Sequence, residues 1–187
     1  TITACGTASY AGLTAKYWFE KIARLPTEVD IASEFRYREA PLPKNGLAIV
    51  ISQSGETADT LAALRYCKLQ GQHTLAIVNV PESTIARESE LVFRTFAGPE
   101  IGVASTKAFT CQVAVLLMIA LKLGRSRRFS RQEGIDFGRG IESIPALVEE
   151  VLKLDTSIAR IAERYATQQH AFFIGRGPMY PVALEGA

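Results

Sequence analysis

Residues 47–57 read LAIVISQSGET, an uninterrupted apolar run followed by a turn rich in hydroxyl groups. Residues 47–51 are apolar throughout, as expected for a central strand of a parallel sheet that is covered on both faces. A helical pattern follows at Ala58–Gln70 and ends at Gly71, a residue that commonly terminates helices. This order of strand, turn and helix predicts one βα unit of an α/β fold.

The same alternation extends outward from this unit over the first part of the chain. Further elements are predicted as strands at Ile2–Cys5, Glu28–Ala32, Thr74–Val78 and Leu91–Arg94, and as helices at Tyr10–Leu25 and Ser105–Leu123. We therefore predict a three-layer α/β domain, flavodoxin-like or Rossmann-like, with a parallel sheet of about five strands flanked by helices.

The pattern changes after Gly124. Residues 130–169 show no strand pattern and two helical stretches that divide near Pro145. A strand is then predicted at Ala171–Ile174, followed by a glycine turn and a helix at Tyr180–Ala187. This final piece repeats the order of strand, glycine turn, tyrosine and helix that opens the chain.

The repeat predicts three parts: a complete domain at 1–124, a helical connector at 125–169, and the first βα unit of a second, similar domain at 170–187. The sequence opens on a strand pattern and stops within a helical one. We therefore expect the chain to be a piece of a longer protein.

Charge and hydropathy do not indicate nucleic-acid or membrane binding. The net charge is +2, and the basic residues are scattered apart from the short run at 125–128, which is typical of a solvated connector. The apolar stretch Val113–Leu123 contains Lys122 and is expected to be too short to span a bilayer. No segment resembles a signal peptide.

The cysteines Cys5, Cys67 and Cys111 lie far apart, with neither a CxxC pair nor a nearby histidine cluster. This spacing favours neither a zinc site nor a disulfide framework, and it predicts a reducing, cytoplasmic location. Cys5 lies at the end of a predicted strand, where a small buried hydrophobic role is more typical than a nucleophilic one.

The turn at 52–57 contains the groups that a phosphate needs in a site without a metal. Ser52, Ser54 and Thr57 supply hydroxyls, Gln53 supplies an amide, and Gly55 lets the backbone approach closely. The helix predicted to begin near Thr57 leaves its first amides unpaired at the same place. Together these features predict a phosphate-binding loop at the carboxyl end of a buried strand.

Two absent patterns narrow the ligand of this loop. The sequence has no G-x-x-x-x-G-K-[ST] motif, and therefore no lysine placed for a β- or γ-phosphate. Gly175-Arg176-Gly177 is followed by Tyr180 where a dinucleotide fingerprint requires its third glycine. A single phosphate on a small molecule fits better than a nucleotide. The alternative is that Ser54 caps the helix and Ser52 ends the strand.

Two other segments could face the same crevice. Gly6-Thr7 follows the first strand, although taken alone an ordinary tight βα turn is the favoured interpretation. Residues 102–104 could present backbone groups to a ligand, whereas Ser105 is first of all a plausible N-cap of the following helix. Glu185 is the one acid near the second glycine turn, and its alternative is a surface glutamate in a first helical turn.

Four segments bring the sequence close to one enzyme family. They read ACGT at 4–7, IASEFRYR at 31–38, SQSGETADT at 52–60 and EIGVASTKAF at 100–109. With these segments the whole chain resembles the isomerizing glutamine–fructose-6-phosphate aminotransferases, also called glucosamine-6-phosphate synthases. The resemblance implies two tandem sugar isomerase (SIS) domains in the parent enzyme, each a parallel sheet flanked by helices.

The resemblance also implies a ligand and roles for individual residues. These enzymes convert fructose 6-phosphate and glutamine-derived ammonia to glucosamine 6-phosphate by imine formation and an aldose–ketose proton shift, and no metal or organic cofactor is implied. The phosphate of the hexose would be held by Ser52, Gln53, Ser54 and Thr57. The sugar would be lined by Thr7, by the backbone near Cys5, Gly6 and Val103, and by Ser105.

The sequence departs from this family in two respects. Ala8 stands where the family often has a serine, which removes one hydroxyl. The family's lysine and acid/base glutamate beyond the LEGA segment, its completing histidine and C-terminal lysine, and its glutaminase domain are not among these residues. We therefore expect the chain to bind a hexose 6-phosphate without turning it over, with Glu185 as at most a contributor to catalysis.

The resemblance implies two partners, the glutaminase domain of the parent protein and a second copy in a homodimer. Two other functions stay open. SIS domains also serve as sugar-phosphate sensors attached to DNA-binding helices, and related SIS enzymes act on amino-sugar phosphates as deaminases or deglycases.

Overall fold

The fold is centred on a parallel sheet of five strands in the order β2-β1-β3-β4-β5. A computed structural model describes residues 1–102 and 105–187. The strands are β1 (Ile2–Ala4), β2 (Val29–Ile31), β3 (Leu47–Ser52), β4 (His73–Val78) and β5 (Leu91–Arg94). All five predicted strands of the sheet are confirmed to within one residue at each end, and so is the flavodoxin-like α/β class.

The strand order reverses between β1 and β3. From β1 the chain crosses to β2 on one side, and from β3 it continues to β4 and β5 on the other. β1 and β3 are paired in parallel, with Ala4 opposite Ile51, so their carboxyl ends lie side by side. In open α/β sheets a crevice forms at this reversal, and ligands bind there.

Eight helices lie in the part of the chain that the structure describes. They are α1 (Thr7–Lys21), α2 (Ala32–Arg38), α3 (Ala58–Leu69), α4 (Thr84–Glu88), α5 (Lys107–Arg127), α6 (Arg131–Leu152), α7 (Asp155–Tyr165) and α8 (Met179–Gly186). The short helices α2 and α4 were not predicted. α1 begins three residues earlier than predicted, directly after the glycine turn that follows β1.

Alternate residues of the central strands face two different helical layers. Ile49 and Ile51 of β3 pack with α1 and α5, whereas Ala48 and Val50 pack toward the helices of the opposite face. The layer of α1 lies close to the sheet, because a Cβ built on Gly12 would be 2.9 Å from the Ile2 side chain. This packing gives the predicted three-layer arrangement.

Two predictions for the second part of the chain were wrong. Two helical stretches are present as predicted, but they divide at residues 153–154 between α6 and α7, whereas Pro145 lies inside α6. Residues 171–174 form no strand. Phe172 and Ile174 are each 92% exposed, and an isolated strand without a hydrogen-bonded neighbour is not stable.

The length argument against a membrane span was too strict, because α5 extends over 21 residues and is long and apolar enough to cross a bilayer. The packing of α5 against the rest of the domain also explains why the helix is apolar. Val115, Leu116 and Ile119 are buried in the main core cluster with residues of α1 and the sheet. One apolar face of α5 is thus covered by the domain itself, and 44% of the apolar window is buried.

Candidate functional site

A cavity of about 290 Å³ opens at the reversal point of the sheet, where β1 and β3 end. The predicted site residues that line it are Cys5, Thr7, Ser52, Gln53, Ser54, Thr57 and Ser105. Gly6 lies outside the lining and precedes α1 as its N-cap, and Val103 lies outside the described residues. Residues that are about 100 positions apart in sequence are therefore gathered around one space.

The hydroxyl groups of the loop at 52–57 are held by contacts within the loop. Ser52 Oγ lies 2.9 Å from Thr57 Oγ1 and accepts a hydrogen bond from the Gly55 amide at 3.0 Å. The Ser54 hydroxyl accepts from the Glu56 amide at 3.2 Å. Ser54 thus bonds within the turn, and the N-cap position of α3 belongs to Thr57, so a capping role for Ser54 is wrong.

Gly55 is required by both conformation and space. Its φ angle is +68°, and a Cβ built on it would lie 2.0 Å from Ser83 Oγ and 2.4 Å from Ser83 Cβ. Side chains rarely adopt this left-handed conformation. Gly55 therefore allows the loop to lie directly against the start of α4.

The loop is also fixed to its neighbours by three longer-range hydrogen bonds. The Gly55 carbonyl accepts from the Ile85 amide at 3.0 Å, and the Gln53 carbonyl accepts from the Asn79 amide at 3.1 Å. The Glu56 carboxylate accepts from the Thr84 amide at 2.7 Å, and this bond lowers the pKa of Glu56. Glu56 therefore points to α4 and supports the loop from behind.

The turn after β1 connects the cavity to the far end of the chain. The Thr7 hydroxyl donates to Glu185 Oε1 at 3.0 Å, and α8 packs against α1. Glu185 was predicted only as a residue near the second glycine turn. Its contact with a cavity-lining side chain places it next to the site. No sequence pattern could have paired it with Thr7.

Glu100 is a cavity residue that was not predicted as a site residue. Its carboxylate accepts from the Thr106 amide at 2.9 Å and from the Ser105 hydroxyl at 3.3 Å. The bond from the Thr106 amide is the main reason that the pKa of Glu100 is lowered. The start of α5 is therefore capped by Glu100, and the N-cap role predicted for Ser105 is wrong, since Thr106 occupies that position.

Gln112 is a second cavity residue that was not predicted. It belongs to α5, lines the same cavity and is only 2% exposed. Its side-chain oxygen is buried and has no hydrogen-bond partner among the described residues. A signal was present in the sequence, because Gln112 interrupts an apolar helical stripe.

The electrostatics of the cavity favour an anion at one side. The helices α1, α3 and α5 begin at Thr7, Ala58 and Lys107, next to cavity-lining residues, and helix N-termini present unpaired amides and a positive dipole end. Within the described ranges no group of three or more His, Cys, Asp or Glu residues could hold a metal ion. Among the side chains that line the cavity, the donors are hydroxyl and amide groups.

Comparisons with known proteins show which proteins the chain is similar to. A family model described as "SIS domain" matches residues 1–122. The chain is 60% identical over 187 residues to a glutamine–fructose-6-phosphate aminotransferase (isomerizing) of Bradyrhizobium diazoefficiens, and the match covers all of this chain and 31% of that protein. The chain therefore spans about a third of the length of such relatives.

Two solved structures have the same fold over the whole chain. The C-terminal domain of glucosamine-fructose-6-phosphate aminotransferase from Francisella tularensis superposes with a TM-score of 0.97 at 48% identity, covering 100% of this chain and 53% of that one. A glucosamine-6-phosphate deaminase from Thermotoga maritima superposes with a TM-score of 0.76 at 25% identity, covering 100% and 55%.

Proposed function

The chain belongs to the SIS domain family, and from this premise we propose that its cavity binds a hexose 6-phosphate through the loop at 52–57. One observation carries the proposal, the convergence of the Ser52, Ser54 and Thr57 side chains on a cavity at the reversal point of the sheet. The phosphate would lie against this loop, and the sugar would extend toward Thr7 and Ser105.

Direct hydrogen bonds account for most of the expected phosphate affinity. Each hydrogen bond to a charged group contributes about 1.5–3 kcal/mol, whereas a helix dipole contributes about 0.3–1 kcal/mol. Gln53, Ser54 and one hydroxyl of the Ser52–Thr57 pair can each direct a polar hydrogen into the cavity that they line. The start of α3 adds to this attraction without determining it.

Thr7 would act on the sugar as an acceptor. Its hydroxyl proton is engaged by Glu185 Oε1 at 3.0 Å, so its oxygen would be available to the sugar only as an acceptor. A sugar hydroxyl can donate to them, but a phosphate dianion cannot. This supports an orientation with the phosphate at the loop and the hydroxyl-bearing carbons toward Thr7, with Glu185 as the residue that would orient the Thr7 hydroxyl.

We further propose that the chain is the substrate-binding part of an isomerizing glutamine–fructose-6-phosphate aminotransferase. The 60% identity over the full chain supports this. The 187 residues alone are expected to bind without catalysis, because by the family resemblance the proton-transferring lysine and glutamate lie beyond Ala187. No metal or organic cofactor takes part in the proposed binding.

The proposed partners are the glutaminase domain of the parent protein and a second copy of the chain. Large apolar side chains on α6 and α7 are exposed, among them Leu147, Val151 and Ile158. Such side chains favour contact with a partner at these helices. A cytoplasmic location is also proposed, and it is consistent with three free cysteines. The division into 1–124, 125–169 and 170–187 stays a prediction.

Ligand titration followed by thermal unfolding tests the binding proposal. Glucosamine 6-phosphate should raise the melting temperature of the chain in a saturable way, because a ligand that binds only the folded state stabilises it. Unphosphorylated glucosamine should have little effect. Equal stabilisation by glucosamine and its 6-phosphate would show that the loop at 52–57 does not hold the phosphate.

A second candidate function is an amino-sugar-phosphate deaminase, favoured by the structural likeness to the Thermotoga maritima enzyme. The identity is 25% in that case and 60% for the aminotransferase relative, so the aminotransferase is preferred. Assays on the parent protein separate the two. Glutamine-dependent formation of glucosamine 6-phosphate supports the first, and release of ammonia from glucosamine 6-phosphate without glutamate formation supports the second.

A further inference from the structure

Glu100 is the one side chain with a formal charge among the described residues that line the cavity. No lysine, arginine or histidine belongs to this described lining, and the ammonium group of the nearby Lys107 is bonded to the Pro99 carbonyl. Glu100 is half-buried, and the bond that its Oε1 accepts from the Thr106 amide lies in an exposed position. Its carboxylate is therefore a negative charge at the cavity wall that the protein does not enclose.

Three hydrogen bonds keep the Glu100 carboxylate ionised. They come from the Thr106 amide at 2.9 Å, the Ala108 amide at 3.4 Å and the Ser105 hydroxyl at 3.3 Å. Hydrogen bonds to the charged form of an acid stabilise that form, and these bonds lower the pKa of Glu100, the one from Thr106 most of all. Glu100 is therefore an anion at neutral pH, fixed at the start of α5.

The acids at the start of α3 are arranged differently. Glu56 accepts from the first amide of α4 at 2.7 Å, and Asp59 accepts from the Arg36 guanidinium at 2.7 Å. Neither of them lines the cavity. Because helix N-termini attract anions, the start of α3 is left for an anionic ligand, whereas the start of α5 already holds an anion of the protein.

We propose that Glu100 determines specificity for the sugar by repelling ligands that carry a second negative charge at the end away from the phosphate. The proposal rests on the proposed function, in which the sugar extends from the loop toward Thr7 and Ser105. The Ser105 oxygen lies 3.3 Å from Glu100 Oε2, so this end of the ligand would enter the field of the carboxylate. A neutral sugar end is tolerated there, whereas a carboxylate or a second phosphate meets a like charge. The repulsion acts through space and requires no direct contact.

Two open-chain ligands of equal length isolate this charge. Glucitol 6-phosphate ends in a neutral hydroxymethyl group, and 6-phosphogluconate ends in a carboxylate. In calorimetric titrations of the original chain, the dissociation constant of 6-phosphogluconate should be about 5- to 30-fold the larger, as expected for partly screened like charges. Glu100→Gln keeps an acceptor oxygen and removes the charge, so it should reduce this ratio by about 3-fold or more. The ratio should stay above one, because the Glu185 carboxylate behind Thr7 adds to the same field.

Glu133→Gln is the matched control variant. The Glu133 carboxylate also accepts a backbone amide at 2.9 Å, from Ser130 at the start of α6, and that bond lowers its pKa, but Glu133 does not line the cavity. This variant should keep the ratio of the original chain. Salt provides a second test without any substitution, because it screens charges. Raising sodium chloride from about 20 mM to about 300 mM should lower the ratio in the original chain.

The opposite outcomes are distinct. A ratio near one in the original chain, or a ratio that Glu100→Gln leaves unchanged in a folded sample, would reject the specificity role. An equal fall of the ratio in Glu133→Gln would also reject it, since net charge alone would then explain the effect. If Glu100→Gln does not fold, the salt series decides, and a ratio that salt does not lower rejects the proposal. If the original chain binds neither glucitol 6-phosphate nor glucosamine 6-phosphate, the proposed function itself fails.

Discussion

Gly55→Ala tests whether the loop at 52–57 depends on its close contact with α4. The new Cβ would lie 2.0 Å from Ser83 Oγ and 2.4 Å from Ser83 Cβ. The Ser83 hydroxyl could rotate away, but its Cβ is fixed to the backbone just before α4. The loop or the helix must therefore move, and the 3.0 Å bond from the Ile85 amide to the Gly55 carbonyl would be strained.

A matched control separates the expected loss of folding stability in Gly55→Ala into two terms. Gly71 has a φ of +71° and nothing within 4 Å of a built Cβ, so Gly71→Ala carries only the left-handed conformational penalty of about 1–2 kcal/mol. Gly55→Ala carries a similar penalty plus overpacking, which typically costs about 1–3 kcal/mol. For a chain of this size the second term lowers the melting temperature by about 2–12 °C.

The assay is thermal unfolding of the original chain and both variants, with and without glucosamine 6-phosphate. Gly55→Ala should melt below Gly71→Ala and, where folded, bind about 10-fold or more weakly, since one charge-assisted hydrogen bond is lost or misplaced. Gly71→Ala should bind normally. Equal melting temperatures and equal affinities for the two variants would refute the claim that the contact with Ser83 shapes the loop.

Three further predictions follow from individual side chains. Ser54→Ala should weaken binding of glucosamine 6-phosphate roughly 10- to 150-fold through loss of one hydrogen bond to a charged group, measured by calorimetry, whereas a change under 2-fold would remove Ser54 from the phosphate site. The pKa of Glu100 is lowered, first by the bond from the Thr106 amide, so its contribution to stability is present above its unfolded pKa of about 4.3 and is lost as the pH falls toward the folded value. Glu100→Gln should accordingly reduce the pH dependence of the melting temperature below about pH 5, and an unchanged profile would contradict this. Burial raises the pKa of Cys67 to about 11. At pH 8 iodoacetamide should therefore leave Cys67 unmodified in the folded chain. Modified Cys67 in the mass spectrum of the folded chain would contradict this prediction.

The central sheet could be predicted from sequence because its strands are specified locally. β3 and β4 are apolar over nearly their whole length, and turn residues bound each of them. The segment at 171–174 has an equally apolar sequence, yet it forms no strand. A strand requires a neighbour, and a sequence pattern does not reveal whether one is available. Pro145 shows the opposite error. A proline normally disfavours a helix, yet Pro145 lies within the continuous helix α6.

From the residue pattern alone, the site could be predicted only where its residues are adjacent in sequence, whereas Cys5, Thr7 and Ser105 were named through the family resemblance. Ser52, Ser54 and Thr57 lie in one turn, so their convergence follows from the turn itself. Glu100 and Glu185 join the site through the Thr106 amide and the Thr7 hydroxyl, partners that are set by tertiary structure. Gln112 was partly predictable. The sequence shows that it interrupts an apolar helical stripe, but not that it lines the cavity.

The internal contacts of the loop at 52–57 limit how many hydrogen bonds it can offer to a phosphate. Ser52 and Thr57 hold one proton between their oxygens at 2.9 Å, so the pair has a single proton left for the ligand. Ser54 and Gln53 keep theirs, because the Ser54 oxygen serves as an acceptor from the Glu56 amide. The loop thus binds with its donors already oriented, which avoids an ordering cost on association. The affinity of the loop for phosphate is therefore expected to depend on this geometry as much as on the number of hydroxyls. The contacts of Gly55 and Glu56 with α4 maintain the geometry, so they should affect binding as well as stability.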